Sequence, residues 1–282
     1  MSNKKDRNSS QKRRTISDTL APIVEHLELK GDRIVLLNDL RNLRPGIPDA
    51  TVRWTVHELV ERGWLEPLAV KGAYEFIPGS AAGAYQSGDP WLNLKAALRL
   101  QPKLKAHVGL ASAAWIHGYR ERVPARHTIV AARVPKPPPS LSSVYIIIKT
   151  NQGKVFGAEQ KRGLPVATIE RIFVEVAWRP DLVEIRSDIE WLWRLGADLD
   201  AHAIPAYLGR LSIKSVWARA GYLAELIRQA ELANLIEELM PKSKGPFYLG
   251  NATRADRYVS RWKLYDNLGL WELTPEARTN GF

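Results

Sequence analysis

The sequence predicts an α+β protein in which an N-terminal winged helix-turn-helix precedes a larger mixed α/β domain. At 282 residues, 45% of them hydrophobic, the chain can form about two domains with separate cores. An amphipathic helical pattern over residues 50–62 runs directly into two short strand patterns, and helical and strand patterns alternate irregularly beyond residue 91. These observations place a small unit of helices and a hairpin before a larger mixed one.

Composition divides the chain into four segments. Residues 1–14 are polar and basic, so we expect a disordered arm there. Residues 15–78 carry the winged helix-turn-helix pattern. Residues 79–90 are rich in Gly, Ala, Ser and Pro, which is typical of a linker. The C-terminal domain is then expected over residues 91–282.

Apolar spacing predicts the first elements of the N-terminal domain. A helix is expected over residues 15–29, because its apolar side chains recur at helical intervals. They are Leu20, Ile23, Val24 and Leu27. A short strand pattern covers residues 34–37, and Asn38 is placed to cap a second helix that ends near Leu43. The Pro-Gly-Ile-Pro stretch at residues 45–48 predicts the turn that follows.

A third helix is predicted over residues 50–62, with Asp49 as its cap. Its apolar side chains share one face and are expected to be buried: Val52, Val56, Leu59 and Val60. Other side chains of this helix are free to face a partner: Thr51, Arg53, Trp54 and His57. Gly63 is expected just after the helix end, where glycine accepts a left-handed backbone.

A β-hairpin is predicted to follow the third helix. Strand patterns at residues 65–70 and 73–77 flank Lys71 and Gly72, which predicts a two-residue turn because glycine tolerates positive φ. Pro67 lacks an amide hydrogen, so its strand is expected at the edge of the sheet. Two helices, a turn and such a wing form an arrangement that reads duplex DNA.

The candidate DNA contacts that carry sequence information lie on the third helix. Arg53 can pair with both acceptors of a guanine, and Thr51 can meet a phosphate or a thymine methyl group. His57 lies one turn beyond Arg53 and can reach the DNA backbone. Trp54 is unusual at a groove-facing position, and we expect it to pack against the wing or the sugar edge. A winged helix used for protein contacts is the alternative.

Other candidates are basic residues expected to contact phosphates, which position a domain without reading sequence. They are Lys71 at the wing tip, Arg41 and Arg44 before the turn, and Arg13 and Arg14 in the arm. A polar loop over residues 149–163 forms either an ordinary solvated loop or a second basic patch for nucleic acid or an acidic partner. Its basic residues are Lys149, Lys154, Lys161 and Arg162.

The charge of the chain favours a polyanionic partner. The net charge is +11 and the pI is near 9.8. Residues 1–14 contain six basic residues and one acidic residue, whereas residues 15–79 contain seven basic and ten acidic ones. DNA binding by the N-terminal domain therefore depends on a local face and on the basic arm, which would add phosphate contacts.

Mixed patterns fill the C-terminal domain. Helices are expected at residues 92–100, 110–117 and 168–177, and strands at residues 128–132 and 144–148. The second strand pattern is continuously apolar, so we expect burial on both of its faces. A largely helical stretch with breaks near three glycines extends over residues 187–240: Gly196, Gly209 and Gly221.

Catalytic and metal-binding patterns are weak. The absence of cysteine excludes disulfides, thiolate zinc sites and cysteine nucleophiles. The sequence has no Gly-rich phosphate loop and no GxSxG elbow, and its six histidines are scattered. Asp198, Asp200 and His202 could suggest a metal, but we interpret the acids as a helix start. Ser112 lies in an apolar helix pattern and is expected to be packed. We predict no catalytic residue, no metal and no cofactor.

Localisation follows from hydropathy. No apolar run reaches the roughly 18–20 residues of a membrane span, and the basic N-terminus is not followed by the apolar core of a secretory signal. We therefore expect a soluble cytoplasmic protein with no membrane partner.

Several segments resemble AbiEi-type antitoxins, in the family's order. Residues 61–65 (Glu-Arg-Gly-Trp-Leu) and 71–78 (Lys-Gly-Ala-Tyr-Glu-Phe-Ile-Pro) are similar to the winged helix at the start of that family. Residues 109–119 resemble the helix that opens its second domain. Residues 163–171 resemble its Gly-Leu-Pro-Val-Ala-x-x-Glu-Arg segment. Residues 215–223 resemble a late helix, most closely that of mycobacterial relatives of the MenA kind.

This resemblance covers residues 15–271 and implies a cytoplasmic antitoxin of a bicistronic toxin–antitoxin system. Its winged helix is expected to bind double-stranded operator DNA at inverted repeats and to repress its own operon. Its C-terminal domain is expected to neutralise a cognate nucleotidyltransferase-type toxin. In the AbiE pattern neutralisation occurs without stable contact, whereas some related pairs form complexes or modify the toxin. The long basic arm and the acidic N-terminal domain depart from the family pattern.

Two other functions are compatible with the sequence. One is a stand-alone winged-helix transcriptional regulator whose C-terminal domain senses a ligand. A nucleotidyltransferase gene just downstream would favour the antitoxin over this regulator. The other is an enzyme that acts on a toxin or a nucleic acid, for example by protein phosphorylation. It requires an acidic metal-binding pair that the sequence does not identify.

Overall fold

The computed structural model describes residues 14–81, 88–186, 189–250 and 257–273 and confirms the predicted α+β class. The chain divides into two compact units. The first unit runs to Lys103 and also includes Pro138–Ser143. The second unit comprises Leu104–Pro137 and the chain from Val144 onward.

The first unit has the element order that the sequence predicts for a winged helix. Its elements are α1 (Ala21–Lys30), β1 (Ile34–Leu36), α2 (Leu37–Leu43), α3 (Asp49–Glu61), β2 (Leu65–Pro67) and β3 (Ala73–Phe76). The strands form an antiparallel sheet in the order β1-β3-β2. The strand that contains Pro67 therefore lies at an edge, as predicted.

Apolar side chains from all three helices fill the core of this unit. Leu20, Ile23, Val24 and Leu27 are buried around α1. On α3 the predicted face is also buried, with Val60 partly so: Val52, Val56, Leu59 and Val60. Thr55 joins this face because its hydroxyl donates a hydrogen bond to the carbonyl oxygen of Thr51 at 2.9 Å. Gly63 follows the end of α3 with a φ of +73°, as predicted.

The helix starts differ from the predictions. The carboxylate of Asp39, not Asn38, accepts a hydrogen bond from the amide of Leu36 at the start of α2. Asp49 does not cap α3, because it lies inside the first turn and its two carboxylate oxygens accept hydrogen bonds from Arg41 at 3.0 Å. Ion pairing with a nearby arginine thus replaces the expected cap.

The predicted turn at Lys71 and Gly72 is confirmed, but the strand before it is shorter than predicted. β2 ends at Pro67 and β3 begins at Ala73. The intervening chain turns inward at Val70, which is buried, and the amide of Ala73 donates to the carbonyl of Val70. This hydrogen bond closes the two-residue turn over Lys71 and Gly72. Gly72 has a φ of +82°, the conformation for which glycine was predicted there.

The boundary between the units lies later than the predicted start at residue 91. A fourth helix, α4 (Leu92–Leu100), belongs to the first unit. The guanidinium of Arg99 donates to Asp32 at 2.7 Å, and the side chain of Asn93 accepts from the amide of Ala69 at 2.7 Å. These polar contacts hold α4 to the other elements of the first unit, which composition alone does not reveal.

A five-stranded mixed sheet forms the centre of the second unit. Its strands are β4 (Ala106–Val108), β5 (His127–Ala132), β6 (Tyr145–Thr150), β7 (Ala158–Lys161) and β8 (Leu164–Ala167). Their order is β6-β5-β4-β8-β7. β6 is an edge strand, yet its apolar run is covered on both faces as predicted: Tyr145 and Ile148, which project from opposite faces, are buried, and Ile146 and Ile147 are partly buried. Two helices of this unit lie between or after these strands, α5 (Leu110–His117) and α7 (Ile169–Trp178). The short helix α6 (Leu141–Val144) comes between β5 and β6 in the chain, and its residues up to Ser143 belong to the first unit.

Four helices follow the sheet. They are α8 (Glu190–Ala197), α9 (Ile204–Leu211), α10 (Lys214–Leu226) and α11 (Ala230–Leu239). The predicted breaks near Gly196 and Gly209 are confirmed, because α8 ends at Ala197 and α9 ends at Leu211. The predicted break near Gly221 is wrong, because this glycine lies inside α10. The ring of Trp262 packs against Gly221, so this glycine provides room for a side chain rather than a helix end.

A second small sheet closes the unit. It consists of β9 (Phe247–Tyr248), β10 (Arg257–Val259) and β11 (Leu264–Asp266), in the order β10-β11-β9. The hydroxyl of Tyr222 on α10 donates to the buried carboxylate of Asp266 at 2.7 Å, which anchors the sheet to that helix.

Candidate nucleic-acid interface

One face of α3 is open to solvent along its whole length. Its exposed side chains follow the spacing of a helical stripe: Ala50, Arg53, Trp54, His57 and Glu61. Thr51 is exposed beside this stripe. The opposite face packs into the core of the first unit. The structure thus brings the predicted residues of the third helix onto one accessible surface, which we call the α3 stripe.

Arg53 and His57 are available for a partner. Neither makes a hydrogen bond or an ion pair with another residue in the part of the chain that the structure describes. They lie four residues apart, so their side chains project from successive turns of the helix. An unpaired guanidinium in this position can donate two hydrogen bonds to one guanine edge.

Trp54 is the exposed aromatic residue of the α3 stripe. It is 53% exposed, so the wing does not cover it as one of the sequence interpretations expected. Leaving this large ring in water forgoes burial free energy of about 25 cal/mol per Å². The stripe therefore combines an unpaired cation with an apolar surface that a partner can cover.

The predicted phosphate contacts fall into two groups. Lys71 is exposed in the connection between β2 and β3. The arginines predicted to contact phosphates, as far as the structure describes them, instead have partners within the first unit. Arg41 pairs with Asp49, Arg44 donates to the carbonyl of Thr19, and Arg14 donates to the carbonyls of Ile77 and Pro78. The guanidinium of Arg14 also lies 5.2 Å from the ring centroid of Trp64. Arg13 lies outside the described residues.

Internal pairing offsets the acidic charge of this unit. Glu58 accepts hydrogen bonds from Arg62, and Glu75 accepts one from Arg33 at 2.8 Å. Asp32 and Asp49 are paired as described above. Because these carboxylates already face cations, the excess of acids in the sequence does not produce a uniformly acidic surface.

A buried ionic cluster lies in the second unit, and the sequence did not indicate it. Glu175 on α7 is fully buried. One carboxylate oxygen accepts hydrogen bonds from His107 Nε2 at 2.7 Å and from Arg171 Nε at 2.9 Å. The other accepts from the amide of Leu110 at 3.0 Å. Burial tends to raise the pKa of Glu175, but these neighbours outweigh it and hold the pKa below its ordinary value.

The residues around this cluster belong to segments that the sequence analysis singled out. Gly109 leaves space for the carboxylate, because a Cβ at this position would collide with Glu175. Arg171 ends the segment at residues 163–171, and its guanidinium lies 4.3 Å from the ring centroid of Phe156. The i,i+4 spacing of Arg171 and Glu175 was the available signal. His107 could not be placed beside them from spacing alone.

The basic residues of the predicted loop do not form one patch. Lys149 lies in β6, Lys154 in a short 3-10 turn, and Lys161 in β7. Lys161 Nζ donates to His117 Nδ1 at 3.0 Å, and His117 Nε2 donates to the carbonyl of Ala167 at 2.9 Å. Burial, together with Lys161, lowers the pKa of His117. This histidine is therefore neutral near pH 7.

The candidate metal and nucleophile positions have structural partners. Asp198 accepts a hydrogen bond from the hydroxyl of Tyr119 at 2.6 Å, and Asp200 accepts one from the amide of His202. α9 begins only at Ile204, so these acids do not form a helix start as predicted. Ser112 is buried, as expected, and its hydroxyl accepts from the amide of Thr128. In the described ranges no group of three or more His, Asp or Glu residues could hold a metal ion.

No helix in the described part of the chain combines the length and the apolar character needed to cross a bilayer.

Comparisons with known proteins agree with the sequence resemblance. Residues 106–226 match the family model of the AbiEi antitoxin C-terminal domain. The structure is similar to the crystal structure of the RV2827C protein from Mycobacterium tuberculosis, with a TM-score of 0.78 and 22% sequence identity. That similarity covers 97% of this chain and 98% of the other, and it shows a shared fold. No curated protein matches the sequence significantly.

Proposed function

We propose that this protein is an autoregulatory antitoxin, because residues 106–226 match the family model of the AbiEi antitoxin C-terminal domain. Its first unit binds duplex operator DNA through the α3 stripe and represses its own operon. Its second unit neutralises a nucleotidyltransferase-type toxin in the cytoplasm. Neither role requires a catalytic residue of this chain.

The α3 stripe is the observation that supports DNA binding. A helix of this diameter fits the major groove of B-form DNA, and its exposed side chains then face base edges. Arg53 and His57 are unpaired there, and Lys71 is exposed in the wing. Arginine against guanine supplies base recognition, whereas lysine in the wing supplies phosphate contact without sequence preference.

Inverted repeats are the operator expected for this unit. A single α3 helix reads only a few base pairs, so useful specificity requires two copies bound at neighbouring half-sites. Half-sites are then expected about one helical turn apart, or a multiple of it. The basic arm would add phosphate contacts and make the affinity depend more steeply on salt.

Replacement of Arg53 tests the DNA-binding part of the proposal. We expect Arg53→Ala to weaken binding to the upstream promoter duplex by about 1–3 kcal/mol, because one bidentate base contact is lost. Binding to a duplex of random sequence should change little. Fluorescence anisotropy of labelled duplexes at fixed salt measures both affinities.

Arg122→Ala is the matched control for this measurement. Arg122 is an exposed arginine of the second unit, so its removal changes the net charge equally without touching α3. Equal losses for Arg53→Ala on promoter and random duplexes would contradict base reading. The absence of any salt-sensitive promoter binding by the unmodified protein would contradict the DNA-binding proposal itself.

The neutralisation part has a separate test. Co-expression with a nucleotidyltransferase-type toxin encoded beside this chain should restore growth, and Arg53→Ala should rescue equally well because α3 is not required for neutralisation. Failure of the unmodified chain to restore growth would remove the toxin from the proposal while leaving DNA binding in place.

A further inference from the structure

Three tyrosines form a row across the small C-terminal sheet. Tyr258 on β10 lies directly opposite Tyr265 on β11, which in turn lies opposite Tyr248 on β9. Side chains of directly opposed residues project from the same face of a sheet. The ring centroids of Tyr258 and Tyr265 are 5.0 Å apart, and those of Tyr265 and Tyr248 are 5.4 Å apart. We call these three residues the tyrosine row.

The tyrosine row lies on the sheet face directed away from α10. Leu264 and Asp266, which flank Tyr265 in β11, are fully buried, and Asp266 bonds to Tyr222 of α10. Because side chains alternate along a strand, Tyr265 projects from the opposite face. Tyr258, at the edge of the sheet, is 48% exposed. The row is therefore most accessible at its Tyr258 end.

The charges near the tyrosine row are those that attract a polyanion. In the described residues between Pro241 and Asp266, the exposed charged side chains are all basic: Lys242, Lys244, Arg257, Arg261 and Lys263. Arg261 is paired with Glu225 and Glu237. Lys263 Nζ donates to the carbonyl of Ser243, and the guanidinium of Arg257 lies over the ring of Trp271, but neither these two nor Lys242 and Lys244 have an ion pair within the described ranges. The carboxylate described in this stretch, Asp266, is buried. An acidic protein surface or a nucleic acid would be electrostatically complementary to these basic side chains.

The hydroxyl groups of the row favour a nucleic acid as the partner. In contrast to Tyr222 and Tyr119, which donate to aspartates, the tyrosines of the row have no hydroxyl hydrogen bond to any other described residue. Free phenol groups beside an aromatic surface can pair with ribose 2′-hydroxyls, which both donate and accept. Aromatic rings and basic side chains together are typical of sites that bind single strands.

We propose that the tyrosine row is a platform for single-stranded RNA. An unpaired base stacks at the Tyr258 end of the row, the neighbouring lysines contact phosphates, and the tyrosine hydroxyls contact the ribose. This site lies outside the segment that matches the antitoxin family, and it uses neither α3 nor duplex DNA. It is therefore a second nucleic-acid site, separate from the proposed operator contact.

Titration of the full-length protein into a short labelled oligouridylate, and into its oligothymidylate counterpart, tests the platform. The unmodified protein should prefer oligouridylate. Tyr258→Ala should weaken that binding about tenfold, because removal of one aromatic ring typically costs the stacking of one base. Tyr258→Phe should keep most of the affinity but lose the preference for RNA, because it retains the ring without the hydroxyl.

Two further variants separate this site from the others. Leu239→Ala removes an exposed apolar side chain of the same unit and should leave oligouridylate binding unchanged. Arg53→Ala should also leave it unchanged while weakening promoter binding, so the two nucleic-acid sites can fail independently. The proposal is overturned if oligouridylate does not bind saturably, if both oligomers bind equally, or if Tyr258→Ala has no effect. Loss of toxin neutralisation in Tyr258→Ala without RNA binding would instead assign the row to a protein contact.

Discussion

Glu175→Ala is expected to destabilise the second unit by about 3–5 kcal/mol, since it leaves a buried charged partner uncompensated. Arg171 and Glu175 are both fully buried, and the same carboxylate oxygen accepts from Arg171 and His107. The substitution also removes the acceptor for the amide of Leu110 at the start of α5. Urea denaturation followed by circular dichroism should show an early unfolding transition.

The matched control is Glu238→Ala on α11, where the carboxylate is exposed and makes no ion pair in the described ranges. It should change stability by less than about 0.5 kcal/mol. The double variant Arg171→Met with Glu175→Leu should recover part of the loss, because it removes both buried charges together. If Glu175→Ala unfolds like the control, the cluster does not hold α7 to β4 and α5.

The same cluster predicts how stability depends on pH. The folded-state pKa of Glu175 lies below its ordinary value of 4.5, so its ionised form stabilises the folded unit. This contribution is fully present above about pH 4.5 and is lost as the pH falls through the folded-state pKa. The stability difference between the unmodified protein and Glu175→Gln should therefore shrink in acid. A difference that stays constant to low pH would contradict this assignment.

Trp262→Ala is expected to cost about 3–5 kcal/mol, the range for truncating a large buried aromatic side chain. Trp262 is fully buried against Gly221 of α10, and its indole N–H donates to Glu225 at 2.9 Å. The substitution leaves a cavity between α10 and the sheet that carries the tyrosine row. Gly221→Ala acts on the same contact from the other side and should cost about 1–3 kcal/mol through overpacking.

Trp54→Ala serves as the stability control for Trp262→Ala. Both remove a tryptophan, but Trp54 is largely exposed on α3, so its loss should change the free energy of unfolding by less than about 0.5 kcal/mol. Thermal unfolding of the full-length variants gives the comparison. Similar melting temperatures for Trp262→Ala and the unmodified protein would show that the C-terminal sheet does not depend on this contact.

The sequence predicted elements wherever local spacing determines them. The helical period at Val52, Val56 and Leu59 identified both the buried face of α3 and its exposed stripe. Local rules failed where a contact distant in sequence prevailed. Gly221 was interpreted as a helix break because glycine has low helix propensity, yet packing of Trp262 retains it inside α10. α4 was assigned to the wrong side of a boundary because its bonds to the first unit are not visible in composition.

The candidate sites, too, were predictable only where their residues lie close together in the sequence. The residues of the α3 stripe were predictable because they share one helix. The ion pair between Arg41 and Asp49 was not predictable, because the turn between α2 and α3 brings these two side chains together. His107 and Glu175 are 68 residues apart in sequence, and only the pairing of β4 with its neighbours places the histidine beside α7. The tyrosine row likewise depends on the register between three strands, which pairing in the folded sheet sets and residue spacing does not show.

The central claim is that the α3 stripe contacts operator DNA. Site-specific photo-crosslinking tests this claim most directly. A photoreactive benzoyl-phenylalanine is placed at Trp54 in the full-length protein, and at Leu29 of α1, which is 82% exposed, in a control. We predict irradiation-dependent crosslinks from position 54 to the promoter duplex, reduced by unlabelled promoter more than by random duplex, and none from position 29. Crosslinks from position 29 alone, or promoter binding without any crosslink from position 54, would contradict it.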